Sequence, residues 1–86
     1  MPYFVYIVEC SDATLYTGIA TDVTKRIQEH NTSDKGAKYT KTRRPVKLLC
    51  YEEYPDRSSA TKREIQIKKL SRKEKLILLK TRHLSS

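Results

Sequence analysis

The chain has 86 residues, 37% of them hydrophobic and 33% charged, with a formal net charge of +8. Its length suits one domain over residues 1–86 and leaves no room for a separate recognition module. Two glycines and three prolines exclude collagen-like and low-complexity classes, and no apolar run approaches the about 18–20 residues of a membrane span.

Tyr3 to Glu9 reads Tyr-Phe-Val-Tyr-Ile-Val-Glu, short, β-branched and aromatic, which predicts a strand. Both alternating faces are apolar, so this strand is expected at the centre of a sheet, covered on both sides. Ser11-Asp12-Ala13 supplies a turn. Thr14 to Ala20 is then a second strand in a hairpin, with Leu15, Thr17 and Ile19 on one face and Tyr16 and Gly18 on the other. Thr21 or Asp22 caps a helix to about His30, stopped by the segment from Asn31 to Gly36. Residues 37–44 form a basic connection with room for one helical turn. Pro45 opens a third strand through about Tyr54. After Pro55-Asp56 the pattern turns helical from Ser58 to about Leu70. Ser71-Arg72-Lys73-Glu74 is a capping-box sequence that starts a last helix. The order ββα(α)βαα, without a βαβαβ rhythm, predicts an α+β fold with a small sheet flanked by helices.

The opening residues lack a basic leader and meet Glu9 early, so no export signal is expected. Cys10 and Cys50 are accordingly expected as reduced, structural thiols in the cytoplasm, neither holding a metal. Residues 1–56 carry eight basic and eight acidic side chains, whereas residues 57–86 carry ten basic residues against Glu64 and Glu74, so the net positive charge arises there. A concentrated positive field attracts polyanions, with nucleic acid first among them. A lysine-rich solvated surface, or attraction to an anionic membrane or acidic partner, are the other readings.

Three groups of residues resist explanation as packing. On a helical wheel with Ala60 at 0°, Glu64 falls near 40° and Ile67 near −20°, at about 100° per residue. Glu64 therefore shares the apolar stripe, and a lone carboxylate there needs a cation. That cation is either a base such as Arg63 or Lys68, or a hard metal ion. Arg26 and His30 lie one turn apart on one helix face. They suit either a solvated polar face or an arginine that forks onto phosphate beside a histidine that handles a proton. Tyr6 and Tyr16 sit on hairpin strands, either as core aromatics with exposed tips or with their hydroxyls in a site. Zinc-type ligand spacing, a phosphate loop and a nucleophile elbow are all absent from the sequence.

Together these residues resemble the GIY-YIG nuclease superfamily, in particular its short, stand-alone, single-domain bacterial members. Phe4-Val5-Tyr6 stands where Gly-Ile-Tyr is expected and Tyr16-Thr17-Gly18 where Tyr-Ile-Gly is expected. Arg26 and His30 follow in Arg-Ile-Gln-Glu-His-Asn, and Glu64 lies on a later helix. Segments 35–40 and 67–71 look typical of the short members. The sequence departs from the pattern at Phe4 and Thr17, has no lysine after Gly18, and has Asn31 as its sole asparagine.

The resemblance implies a three-stranded antiparallel sheet flanked by helices and a metal-dependent DNA endonuclease of low sequence specificity, selective if at all for DNA structure, with a role in DNA repair or processing. It implies Tyr6, Tyr16, Arg26 and His30 as catalytic residues and Glu64 as the ligand of one Mg²⁺ or Mn²⁺ ion. Tyr6 would help deprotonate the attacking water, Tyr16 and His30 would orient or relay the proton, and Arg26 and the metal would favour the Tyr6 phenolate. All five are expected on one concave surface, with Glu64 on the same side of the sheet as Tyr6 and Arg26; a Glu64 placed on the opposite side would count against the nuclease reading. Lys38, Lys41, Arg43 and Arg44 would contact phosphates of duplex, branched or flapped DNA, with Tyr39 stacking on a base, and Lys68, Lys69, Arg72 and Lys73 would widen the field. A nucleic-acid-binding or recruiting module that kept the fold without efficient catalysis is the alternative, and a protein-binding domain whose charge serves solubility is a third.

Overall fold

The β-branched and aromatic run Tyr3–Glu9 forms strand β1, and Leu15–Ala20 forms β2 antiparallel to it, with Val5 opposite Ile19, Tyr6 opposite Gly18 and Val8 opposite Tyr16. These and the following elements are seen in a computed structural model that describes residues 1–32 and 38–82. The hairpin turn is closed by the Ala13 N–H donating to the Cys10 carbonyl at 2.9 Å. The Asp12 carboxylate braces it, accepting from the Thr14 N–H at 3.1 Å and the Thr14 hydroxyl at 2.6 Å. Ala13 has φ of 68°, a conformation that costs a side-chain-bearing residue about 1–2 kcal/mol.

Helix α1 spans Val23–Thr32. Of its two candidate caps Asp22 is the one engaged, accepting the Lys25 N–H at 3.0 Å. A four-residue helix α2, Lys38–Lys41, precedes strand β3, Lys47–Tyr54. Helix α3, Arg57–Lys68, is capped by Asp56, whose carboxylate accepts the Ser59 N–H at 2.8 Å. Helix α4, Arg72–Arg82, opens on a reciprocal capping box: the Glu74 N–H donates to Ser71 Oγ at 3.1 Å, and the Ser71 N–H donates to Glu74 Oε1 at 2.9 Å.

The sheet order is β2-β1-β3, all antiparallel, so the fold is α+β with the doubly apolar strand at the centre. Alternation along β1 divides the core. Val5 and Ile7 pack with Cys50, Ala60 and Ile67, under α3 and with Leu78 and Leu79 of α4. Tyr6 and Val8 pack on the other face with Cys10, Val23 and Val46, where Ile27 of α1 closes over them. A bulge shifts the β1–β3 register between Ile7 and Val8. Cys10 and Cys50 are buried free thiols on opposite faces, and burial pushes the Cys10 thiol up.

Element boundaries differ from expectation by one or two residues, and three elements show a local cause. The third strand begins at Lys47 rather than Pro45, because the Val46 N–H donates to Asn31 Oδ1 at 2.7 Å instead of to a neighbouring strand. The first helix continues past His30 to Thr32, because Asn31 spends its side chain on Val46, also donating to the Val46 carbonyl at 3.2 Å. The helix expected at Ser58 to Leu70 runs from Arg57 to Lys68, since the Leu70 N–H bonds to the Ile67 carbonyl at 3.0 Å and tightens the last turn. Residues 33–37, part of the segment expected to stop the first helix, lie outside the described residues.

Candidate active site

Tyr6 projects from the central strand on the α1 face and lies across its partner Gly18 on β2. A Cβ at residue 18 would come within 2.4 Å of the Tyr6 hydroxyl oxygen, so only glycine leaves room for the ring there. β2 is an edge strand, and this crossing carries the hydroxyl from the middle of the sheet towards its border.

There the hydroxyl meets α1. Tyr6 Oη lies 2.7 Å from His30 Nε2, and His30 Nδ1 lies 2.7 Å from Thr40 Oγ1 on α2. All three side chains are buried, with Tyr6 at 1% exposure and His30 and Thr40 at 0%. Tyr16 meets the His30 ring edge-on, with centroids 5.5 Å apart. One helical turn before His30, Arg26 comes close enough to the Tyr6 hydroxyl for its charge to act on the phenol. It pairs with Glu29 at 3.2 Å and keeps about a quarter of its side chain exposed. A groove of about 230 Å³ runs alongside, lined by Thr21, Asp22, Lys25, Arg26 and Glu29 among others.

The electrostatics follow from that burial. Desolvation pushes the Tyr6 phenol up to about 12, against the lowering effect of Arg26. Burial and then the Arg26 cation bring the His30 imidazole down to about 4. At neutral pH both groups are therefore uncharged. Arg26 and the metal were expected to favour the phenolate; against Arg26 burial prevails, because stripping water from a phenolate costs more than one partly solvated cation returns.

Glu64 comes from the other side. Its helix, α3, packs on the face opposite α1, not on the face expected. Ala60 and Ile67 face the sheet, and on the wheel Arg63 and Glu64 flank that stripe, near −60° and 40°, at about 100° per residue. Arg63 reaches Glu52 on β3, with 2.8 and 3.2 Å contacts to the two carboxylate oxygens. Glu64 therefore lies towards the β2 border, where its charge acts on the Tyr6 phenol. At an edge strand two faces meet around the border, so the arrangement straddles β2 instead of occupying one surface. The Glu64 side chain is 19% exposed and pairs with Lys68 at 3.1 Å. Among the described residues no three of His, Cys, Asp or Glu gather as a multidentate metal centre. A single hard carboxylate with solvent beside it suits an ion that keeps most of its waters, as Mg²⁺ does.

The basic residues expected at phosphates fall into three sets. Arg43 pairs with Asp12 at 3.0 Å, Arg44 donates to the His30 carbonyl, and Arg72 donates to the Ala13 carbonyl at 2.7 Å. Lys68 is the partner of Glu64. Lys41, Lys69 and Lys73 are exposed. The side chains of Lys38 and Tyr39 lie outside the described part. Thr40 was missed as a site residue. Its only sequence signal was a hydroxyl between basic and aromatic neighbours, which carries no period and no motif.

Fold and site together place this chain in the GIY-YIG catalytic domain family, to which it belongs by a match over residues 2–77. Within that family its close homologues are UPF0213 proteins. It is 60% identical over 77 residues to a UPF0213 protein of Syntrophus aciditrophicus, covering 90% of this chain and 88% of that one. Two solution NMR structures share its fold at 43% identity. A protein of E. faecalis has a TM-score of 0.66 over 98% of this chain and 88% of its own, and the UPF0213 protein of Bacillus halodurans has 0.62 over 94% and 85%.

Proposed function

We propose that this chain is a divalent-metal-dependent DNA endonuclease of low sequence specificity, working on duplex, branched or flapped DNA in repair or processing. The observation that carries the reading is the Tyr6 hydroxyl, held at 2.7 Å from a buried neutral histidine with the Arg26 cation close by. A buried tyrosine kept only for packing needs one partner for its hydroxyl, but not a buried histidine that is itself tied on to Thr40, nor a cation alongside.

Arg26 binds a phosphate oxygen and neutralises charge that develops there. Since Tyr6 is protonated at neutral pH, it does not wait as a phenolate. As water adds to phosphorus, one water proton passes to Tyr6 Oη while the Tyr6 proton passes to His30 Nε2, and the bond from phosphorus to the leaving oxygen breaks. The leaving oxygen departs with the electron pair and takes a proton from solvent, and the buried imidazolium gives its proton back by way of Tyr6, restoring both groups. A separate phenolate–imidazolium pair is disfavoured at both members, so the transfers accompany the attack. Tyr16 holds the imidazole plane. Glu64 would hold Mg²⁺ or Mn²⁺, which when bound supplies charge stabilisation at the leaving oxygen.

The test is cleavage of supercoiled, branched and flapped DNA with Mg²⁺ or Mn²⁺. Glu64→Gln should abolish metal-dependent cleavage and leave DNA affinity unchanged or slightly tighter. Tyr6→Phe should abolish cleavage without unfolding, since the ring is kept. A wild-type protein that binds DNA but cleaves none of these substrates favours the second reading, a binding module. The elevated Tyr6 phenol supports that reading, because an unassisted phenol near 12 is a poor base.

A further inference from the structure

We propose that Thr40 is a positioning residue: its hydroxyl accepts the His30 Nδ1–H and so holds the tautomer in which Nε2 is open to the Tyr6 proton. The inference deepens the proton-handling role given above to Tyr6 and His30.

A neutral imidazole has one donor and one acceptor nitrogen. His30 makes two contacts of 2.7 Å, one at each nitrogen. Either the chain runs Tyr6 to Nε2 and Nδ1 to Thr40, or it runs in reverse. A threonine hydroxyl can serve in both, so distances alone leave the direction open. The Tyr6 proton decides it. Among the described residues His30 Nε2 is the one hydrogen-bond partner of the Tyr6 hydroxyl, and the neighbouring Arg26 guanidinium can only donate. If Nε2 carried the proton, Tyr6 would accept it, and its own proton would have no acceptor in a buried setting. An unmade buried hydrogen bond costs about 1–3 kcal/mol. The chain therefore runs one way: Tyr6 proton to Nε2, Nδ1 proton to Thr40 Oγ1.

Thr40 takes the Nδ1 proton in that chain. It is fully buried on a helix whose next residue, Lys41, is exposed. Nothing about α2 as a surface segment requires an inward hydroxyl. A second tie fixes the same helix end, since the Arg44 side chain donates to the His30 backbone carbonyl. Side chain and backbone of His30 are thus both held from the connection between α1 and β3. With Thr40→Val the shape is kept, but the Nδ1–H is left without its acceptor. The proton is then driven towards Nε2, where it opposes the Tyr6 hydroxyl.

The experiment is long-range ¹H–¹⁵N correlation of ¹⁵N-histidine-labelled full-length protein at neutral pH, beside DNA cleavage rates. Wild type and Thr40→Ser should show a protonated Nδ1 and an unprotonated Nε2 at His30. Thr40→Val should shift the proton towards Nε2, with cleavage falling about 100-fold, the loss expected of a small misplacement. An Nε2-protonated wild type overturns the proposal, and so does a Thr40→Val protein that keeps the wild-type pattern. Should Thr40→Val fail to fold, the wild-type and Thr40→Ser spectra still decide the direction. The expected spectra in a protein that cleaves nothing support the hydrogen-bond assignment while removing the nuclease reading.

Discussion

His30 is where the chemistry of one side chain sets a property of the whole protein. Its imidazole falls from about 6.5 when unfolded to about 4 in the native state, chiefly by burial and then by Arg26. Above pH 6.5 it is neutral in both states and contributes nothing to pH dependence. Between about 6.5 and 4 the unfolded chain binds the proton and the native protein resists it, so stability falls as pH falls through that window. The full loss is about 3 kcal/mol, from about 1.4 kcal/mol per unit. Urea unfolding at pH 7, 5.5 and 4.5 should show this slope in wild type and a reduced slope in His30→Asn. Parallel curves would mean that His30 titrates normally in the native state.

At the scale of elements, the clamp between α3 and β3 governs where Glu64 points. Glu52 is buried at 7% exposure and accepts from Arg63 at two oxygens and from the Tyr54 hydroxyl at 2.7 Å. Removing its charge leaves the guanidinium and the phenol short of an acceptor. Glu52→Gln should therefore cost about 2–3 kcal/mol, less than a fully buried pair because Arg63 keeps some contact with water. An unchanged denaturation midpoint would show that the clamp adds nothing. The elements were legible where one local signal sufficed. The two apolar faces of Tyr3–Glu9 announced a central strand, and Ser71 with Glu74 announced a helix start. The wheel position of Glu64 showed an acid out of place, but not that its helix would cover the opposite face, because pattern reports burial and not which face is covered. α2 was visible only as room for a turn, since four residues show no period. Thr40 was not legible at all, because its partner is ten residues away and its role depends on packing.

For the molecule as a whole, size and charge limit recognition. The longest dimension across the backbone is 31 Å, close to one turn of duplex at about 34–36 Å, so one copy covers about one helical turn. The net charge of +8 is spread over side chains of which Arg43, Arg44, Arg63, Lys68 and Arg72 also hold the fold together. If about five phosphates are met, log affinity should fall against log salt with a slope of about −4.5. Lys69→Ala and Lys73→Ala should weaken binding about equally on unrelated sequences, since phosphate contacts carry no base identity. A flat response in a salt titration would assign the charge to surface solvation.

The overlap of core and site at Tyr6 and His30 has an evolutionary consequence. Both are among the largest fully buried side chains, so a lineage that stopped using the site could not discard them without also losing part of its interior. Their survival in a descendant would testify to folding as much as to use. Arg26 and Glu64 keep contact with solvent and answer less to packing. In any descendant, these two are the positions whose retention would speak for the chemistry itself.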